Sequence, residues 1–327
     1  MKKSENSIYG MLILGATLVL IELALRCFGI PGWRMEDRNS PAESWITFDD
    51  KFGWKNQPGS WKLKDLSTVR EFSYDFDENG VRASGSAVSP LYEVSFIGDS
   101  YVQGYGLREE ETFISQLQRR FPSIRLKNHG VAGYGTYQSL LKAREILSNE
   151  NPPAHIYYLF NSFHELRNSG DLSYLRWLNF AAGSYPDIPC AKLDKDGEII
   201  EMRVQGRTYW LLSDYSALVA LFDELYYLSL RKLRAQEATD LTEKLIQQIA
   251  IESTSHHAKF TVILFDMPID LANEYSQRLS NDKINFIDCS SISRGDRSFR
   301  QEDGHPNSQM SSQIADCLAN GLAHSLN

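Results

Sequence analysis

Three short strand-like runs in this 327-residue chain end in residues that can do chemistry. Tyr92–Ile97 leads into Gly98-Asp99-Ser100. Ile124–Asn128 leads into Gly130, Gly133 and Gly135. Ala154–Phe160 leads into Asn161, Ser162, His164 and Glu165. A fourth cluster, Glu302-Asp303-Gly304-His305-Pro306-Asn307, lies near the C-terminus. A hydroxyl, glycine amides, a carboxamide, a histidine and carboxylates are the parts needed for acyl transfer. A serine needs a base to take its proton. The base needs a carboxylate to fix its tautomer and stabilise the imidazolium. The tetrahedral oxyanion needs preorganised N–H donors.

Such residues work only if the elements beneath them bring them together. The three runs, with Phe260–Phe265 and Ile284–Asp288, read as strands, Tyr92–Ile97 as a buried parallel one. Helical patterns fill the gaps: Glu110–Arg120, Tyr137–Ser148, and Leu241, Leu245 and Ile249 at a spacing of four. The alternation predicts an α/β fold: a doubly wound, flavodoxin-like parallel sheet of about five strands with helices on both faces. In such a sheet the loops at the carboxyl ends converge on one edge. About a hundred residues separate the third and fourth strands, far more than a usual connection. Within them, Asp194-Lys195-Asp196-Gly197 predicts a hairpin turn in Cys190–Glu201, and Tyr209–Leu230 predicts an apolar helix. This insertion, about 167–232, is expected above the carboxyl ends of the strands.

The N-terminus reads differently. Lys2 and Lys3 precede an apolar stretch, Ile8–Leu25, broken only by Glu22 and followed by Arg26. The length is near the lower limit for a spanning helix, and Glu22 and Arg26, four apart, share a helix face at one interface. No small-x-small cleavage site follows, which favours an uncleaved signal anchor. The leading lysines favour a cytoplasmic N-terminus, with the main domain periplasmic or extracellular, although Arg34 and Arg38 put positive charge on the other flank too. The expected organisation is a tip and anchor over 1–32, a β-rich lead-in flap over 33–90, and the main domain over 91–327. In the lead-in, Trp45–Gly59 is aromatic and turn-rich. Asp77-Glu78-Asn79-Gly80 predicts a turn between Glu71–Phe76 and Val81-Arg82.

Composition narrows the partners. Hydrophobic residues make up 42% and charged ones 23%, enough apolar material for a substantial core. The net charge of −8 argues against nucleic acid, which needs basic surface. Cys27, Cys190, Cys289 and Cys317 are widely spaced and match no metal or redox pattern. They are expected as plain thiols, with one disulfide among the last three open in an oxidising compartment. No Walker loop or dinucleotide fingerprint is present, and no cofactor or metal is expected.

From about residue 91 onward the chain resembles the SGNH (GDSL-type) hydrolase superfamily, in its membrane-anchored bacterial form. Gly98-Asp99-Ser100 matches the block that ends the first strand. Asn128 to Gly133 matches the glycine block, Asn161 the asparagine block, and Asp303-Gly304-His305-Pro306-Asn307 the terminal block. The lead-in Phe48-Asp49-Asp50-Lys51-Phe52-Gly53-Trp54 is similar to the segment before the catalytic domain in anchored members. The resemblance implies Ser100 as nucleophile, His305 as base, and an oxyanion hole from the Ser100 N–H, the Gly133 N–H and the Asn161 carboxamide. Two departures stand out. The third block usually reads Gly-x-Asn-Asp, where this chain has Leu159-Phe160-Asn161-Ser162. Many members place the acid three residues before the histidine, at Glu302 here. Asp303, two before, is preferred if the turn brings it to Nδ1, and a backbone carbonyl is a further alternative.

The activity so implied is hydrolysis of an ester borne by a small molecule, lipid or polysaccharide of the cell envelope. An O-acyltransferase of an envelope polysaccharide and a non-catalytic binding protein are the alternatives. Protein partners are not legible. Among other polar residues, His129 reads as a loop histidine and His256-His257 as the end of a solvated helix. His164 and Glu165 either support the site or are structural. Asp266 is read as structural, and Tyr226-Tyr227 as core.

Overall fold

The first helix, α1 (Lys2–Cys27), contains a stretch, Ile8–Cys27, long and apolar enough to cross a bilayer, with no part of it buried. The computed structural model describes residues 2–30, 45–64, 71–171, 174, 187–204, 210, 212–293 and 296–325. The expected insertion, about 167–232, and the start of the lead-in fall partly outside these residues.

After α1 come two antiparallel pairs. β1 (Ile46–Asp49) pairs with β2 (Gly53–Asn56), and β3 (Gly59–Lys64) with β4 (Glu71–Phe76). Sequence placed Val81-Arg82 opposite Glu71–Phe76. Instead β3 takes that role along its whole length, and the turn at Asp77–Gly80 returns only to a single Phe76–Arg82 bridge. A four-residue turn signal marks where the chain reverses, not how far the ladder runs.

Five strands build the central sheet: β5 (Glu93–Ile97), β6 (Arg125–Asn128), β7 (His155–Phe160), and, after the β8 (Ile188–Leu193) and β9 (Ile199–Val204) hairpin, β10 (Lys259–Leu264) and β11 (Asn285–Asp288). Every pair among the five is parallel, in the order β11-β10-β7-β5-β6. This is the flavodoxin-like order. Its switch point falls between β5 and β7, where the direction of winding reverses.

Among the described residues the α-helices after α1 are, in chain order, α2 (Ser100–Gln103), α3 (Phe113–Arg120), α4 (Thr136–Leu147), α5 (Phe163–Asn168), α6 (Ala217–Leu233), α7 (Ala235–Ser255), α8 (Ile269–Asn281) and α9 (Ser308–Ser325). The helix expected over Glu110–Arg120 begins later, because Thr112 Oγ1 accepts the Ser115 N–H and caps α3. β7 is buried along its whole length, so its alternate side chains feed two cores. Tyr157 and Leu159 join Phe113, Leu117, Ile314 and Leu318 of α3 and α9. On the other face, the Tyr158 hydroxyl donates to Thr136 Oγ1 at the start of α4, and Phe160 meets Tyr275 of α8 edge to face.

Two compact units result. One holds α1 and α6; the other holds the lead-in pairs, the sheet and the remaining helices. Within the first, Tyr226 is 47% exposed, where sequence placed it in a core. Within the second, Cys289 and Cys317 form a disulfide, in place of the plain thiols expected. The contact between β11 and α9 that brings them together spans 28 residues of sequence. Cys27 and Cys190 are free.

Candidate active site

Ser100 sits at the switch point. Asp99 caps the short α2: its backbone is extended and its Oδ1 accepts the Tyr101 N–H at 2.9 Å. Ser100 is therefore the first residue of a helical turn, where backbone N–H groups lack intrahelical partners. Its Oγ lies 2.9 Å from His305 Nε2, and His305 Nδ1 lies 2.9 Å from Asp303 Oδ2. Serine, imidazole and carboxylate thus form one continuous hydrogen-bonded line.

The two-residue offset works because the turn closes on itself. Asp303 Oδ1 accepts the His305 N–H at 3.0 Å while Oδ2 takes the ring. Gly304 between them has φ +91, a conformation glycine adopts without strain. Glu302 is exposed and makes no bond to the histidine. The structure brings Asp303, and not Glu302, onto Nδ1. The ring is also packed: Tyr105 stacks on it at 4.5 Å between centroids, and Tyr101 meets it edge-on at 5.6 Å.

The glycine loop after β6 lies against α2. A Cβ at Gly130 would sit 2.2 Å from the Gln103 backbone nitrogen, so only glycine allows this approach. Asn128 accepts the Gly130 N–H at 3.0 Å and donates to Val102 O at 2.9 Å. Gly133, with φ +85, lies in the turn between Val131 and Tyr134. Much of the loop's support comes from β2. Asn56 Nδ2 donates to Gly130 O and Gly80 O, Trp54 Nε1 donates to Ala132 O, and the Tyr134 hydroxyl donates to Trp54 O. Gln103 completes the frame: its Oε1 accepts the Ala132 N–H and its Nε2 donates to Asn56 Oδ1. The stretch read as a flap is a buttress for the glycine loop.

Asn161 follows β7, the strand beside β5. Its Oδ1 accepts the Phe163 N–H at 3.0 Å, which fixes the amide orientation, and one Nδ2 hydrogen goes to Asp99 Oδ2 at 2.9 Å. The carboxamide keeps a second N–H. Asp99 is fully enclosed. Burial alone would raise its carboxyl, but His164, Arg167 and the Tyr101 N–H outweigh that and hold it well below the usual carboxylate range. Arg167 Nη1 donates to Asp99 Oδ2 and to Tyr134 O, both at 2.8 Å, tying the serine turn to the glycine loop. His164 Nε2 is 3.2 Å from Asp99 Oδ2, off the hydrogen-bond line, and its Nδ1 meets the Tyr158 hydroxyl at 2.6 Å. Burial lowers its imidazole, with Asp99 opposing. Glu165 points elsewhere, accepting from Thr239 and Tyr275; burial raises its carboxyl.

Three residues that sequence reading left aside or weighed as structural hold the site. Asp266, after β10, accepts the Tyr101 hydroxyl at 2.6 Å and pairs with Arg300, which donates to Gly304 O at 2.8 Å. Burial would lower the Arg300 guanidinium, but Asp266 outweighs it and raises it. Gln301 Nε2 donates to Tyr105 O and Pro306 O. A carboxylate directly after a strand was the available signal for Asp266; Arg300 and Gln301 had none. His129 is a loop residue 3.3 Å from Ser95 Oγ, and His256 and His257 are exposed past the end of α7.

No family model matches this chain, and no curated protein does. Solved structures do show likeness. The crystal structure of TesA shares 14% identity with a TM-score of 0.43, covering 70% of this chain and 97% of that one. The psychrotrophic esterase EstA from Pseudoalteromonas sp. shares 15% at 0.44, covering 72% and 99%. AlinE4, an SGNH-hydrolase family esterase, shares 13% at 0.39, covering 75% and 100%.

Proposed function

We propose that this chain is an esterase-type serine hydrolase of the SGNH kind, with Ser100 as nucleophile, His305 as general base and Asp303 as the orienting acid. The observation that carries the reading is the Ser100–His305–Asp303 line, with both links at 2.9 Å. His305 Nε2 takes the hydroxyl proton as Oγ attacks the ester carbonyl. Asp303 stabilises the imidazolium that forms. The oxyanion is received by the Ser100 N–H, the Gly133 N–H and the second N–H of Asn161 Nδ2. Collapse expels the alcohol, protonated by His305, and leaves an acyl-serine. Water, deprotonated by the same histidine, then releases the acid. The step needs only the ester and water, and no cofactor enters it.

The finer reading is an acyl ester of the cell envelope. α1 is the anchor within 1–32, 33–90 is the lead-in, and 91–327 is the hydrolase domain with its insertion at about 167–232. The domain lies on the far side of the inner membrane. A disulfide at Cys289–Cys317 supports that side, since such bonds persist in oxidising compartments.

The test is covalent labelling of the full chain by a fluorophosphonate. Labelling that vanishes in Ser100→Ala is the expected result. Absence of labelling in folded wild type sinks the reading. Product analysis with an acylated sugar, in the presence of a second sugar, separates transfer to water from transfer to a hydroxyl.

A further inference from the structure

Helix α6 is amphipathic in the wrong sense for water. Phe222, Leu225 and Tyr226 are 54%, 49% and 47% exposed, and Leu233 more so. At 3.6 residues per turn, with Leu218 and Ser229, they form one outward face. Asp223, on the opposite side, is turned inward and accepts from Ser213 Oγ at 2.7 Å and from the Trp210 N–H. The turn before the helix adds exposed Trp210, Leu212 and Tyr215, with Trp210 beside the Tyr226 ring. An apolar face of this extent marks a surface that something else covers.

What covers it follows from where the helix is fastened. Glu22, near the end of α1, accepts from Ser216 Oγ, the Ala217 N–H and the Leu218 N–H, and so caps α6 with a side chain of the apolar helix. Arg26 pairs with Glu22 at 2.6 Å and donates to Tyr215 O. These bonds lie inside one compact unit. If α1 crosses a bilayer, its charged end lies at the headgroups, and α6 starts at that depth. Trp and Tyr collect at that level. Lys232, exposed in the last turn of α6, suits anionic headgroups.

We propose that α6 and the turn before it are a second membrane contact, lying in the bilayer interface with the Phe222–Leu225–Tyr226–Leu233 face in lipid. The inference rests on α1 being the anchor proposed above, and its test separates the two. The full chain carrying Cys27→Ser and Cys190→Ser receives single cysteines across 218–233, and one at Leu18. Each is spin-labelled in phosphatidylcholine–phosphatidylglycerol vesicles, and its accessibility to oxygen and to a nickel chelate is measured. Expected is oxygen access above nickel access at Leu18 and at positions 222, 225, 226 and 233, repeating with the helical period. Nickel access at those α6 positions, with Leu18 in lipid, overturns the inference and spares the anchor. Low access to both reagents there means protein covers the face, from this chain or a second copy, and also overturns it. Nickel access at Leu18 itself overturns both.

Discussion

The two loops that meet at Ser100 are built in opposite ways. The glycine loop is buried from Asn128 to Gly135, apart from a half-buried His129, and is bonded on two sides, by α2 through Asn128 and Gln103 and by β2 through Trp54 and Asn56. The base loop is far more open. The Asp303 side chain is 46% exposed and that of His305 19%. Its fastenings are Arg300 to Asp266 and Gln301 to Tyr105. The difference suits the proposed chemistry. Oxyanion donors gain most when they need no reorganisation as charge develops. A base must pass a proton between partners and have room for the leaving alcohol and the incoming water.

The comparison can be broken most directly at the reacting atoms. Ser100→Ala or His305→Ala should each lower kcat toward a chromogenic short-chain ester by about 10⁶-fold, and the double variant should cost little more, because they act as one unit. Additive losses would mean they do not. Asp303→Asn should cost on the order of 10⁴-fold in kcat, while Glu302→Gln leaves it unchanged; the reverse ranking would move the acid to Glu302.

Asn161→Ala should cost roughly 10²–10³-fold in kcat with KM nearly unchanged, as for one lost oxyanion donor. Asn56→Ala separates the loops. It leaves buried Gly130 O and Gly80 O short of a donor, at about 1–3 kcal/mol each. The melting temperature and kcat should fall together. Arg300→Ala should lower kcat with a much smaller change in melting temperature. Equal thermal losses in Asn56→Ala and Arg300→Ala would end the distinction between a buttressed loop and an open one.

The smallest effect is on stability rather than on catalysis. His155, buried at the far end of β7 and bonded to Thr261, has its imidazole pushed down to about 4 by burial, and His129 to about 3. Between those values and 6.5 the unfolded chain binds protons that the folded chain does not. Stability must therefore fall as pH drops through that window. Thermal melts from pH 7 to 4 should show this, and His155→Gln should flatten it.

Much of this was legible in the sequence. Runs bounded by Gly, Asn and Asp marked the five strands to within a residue or two, and β7 and β10, buried along nearly all their length, have no polar alternation to blur their ends. Order and spacing of the polar clusters placed Ser100, Asn161 and His305 at one sheet edge. The rest depends on long-range geometry. Nothing in Gly53–Asn56 announces that its side chains reach residues 130–134. The choice of Asp303 needed the Gly304 turn, and the Cys289–Cys317 pairing needed the approach of β11 and α9. Tyr226 was misread because an exposed apolar helix face has the same composition as a core.

The disulfide has one more consequence. Residues 289 and 317 enclose Asp303 and His305 between them, so the proposed base and its orienting acid ride on a covalently closed ring. A ring of 28 residues removes on the order of 3–4 kcal/mol of loop entropy from the unfolded chain. A newly made chain in a reducing cytosol has no such ring. Ser100 and the glycine loop lie outside that ring, whereas the segment bearing His305 is fully tethered only once the disulfide is made. Maturation of the base loop is thereby tied to the compartment in which the domain is proposed to work.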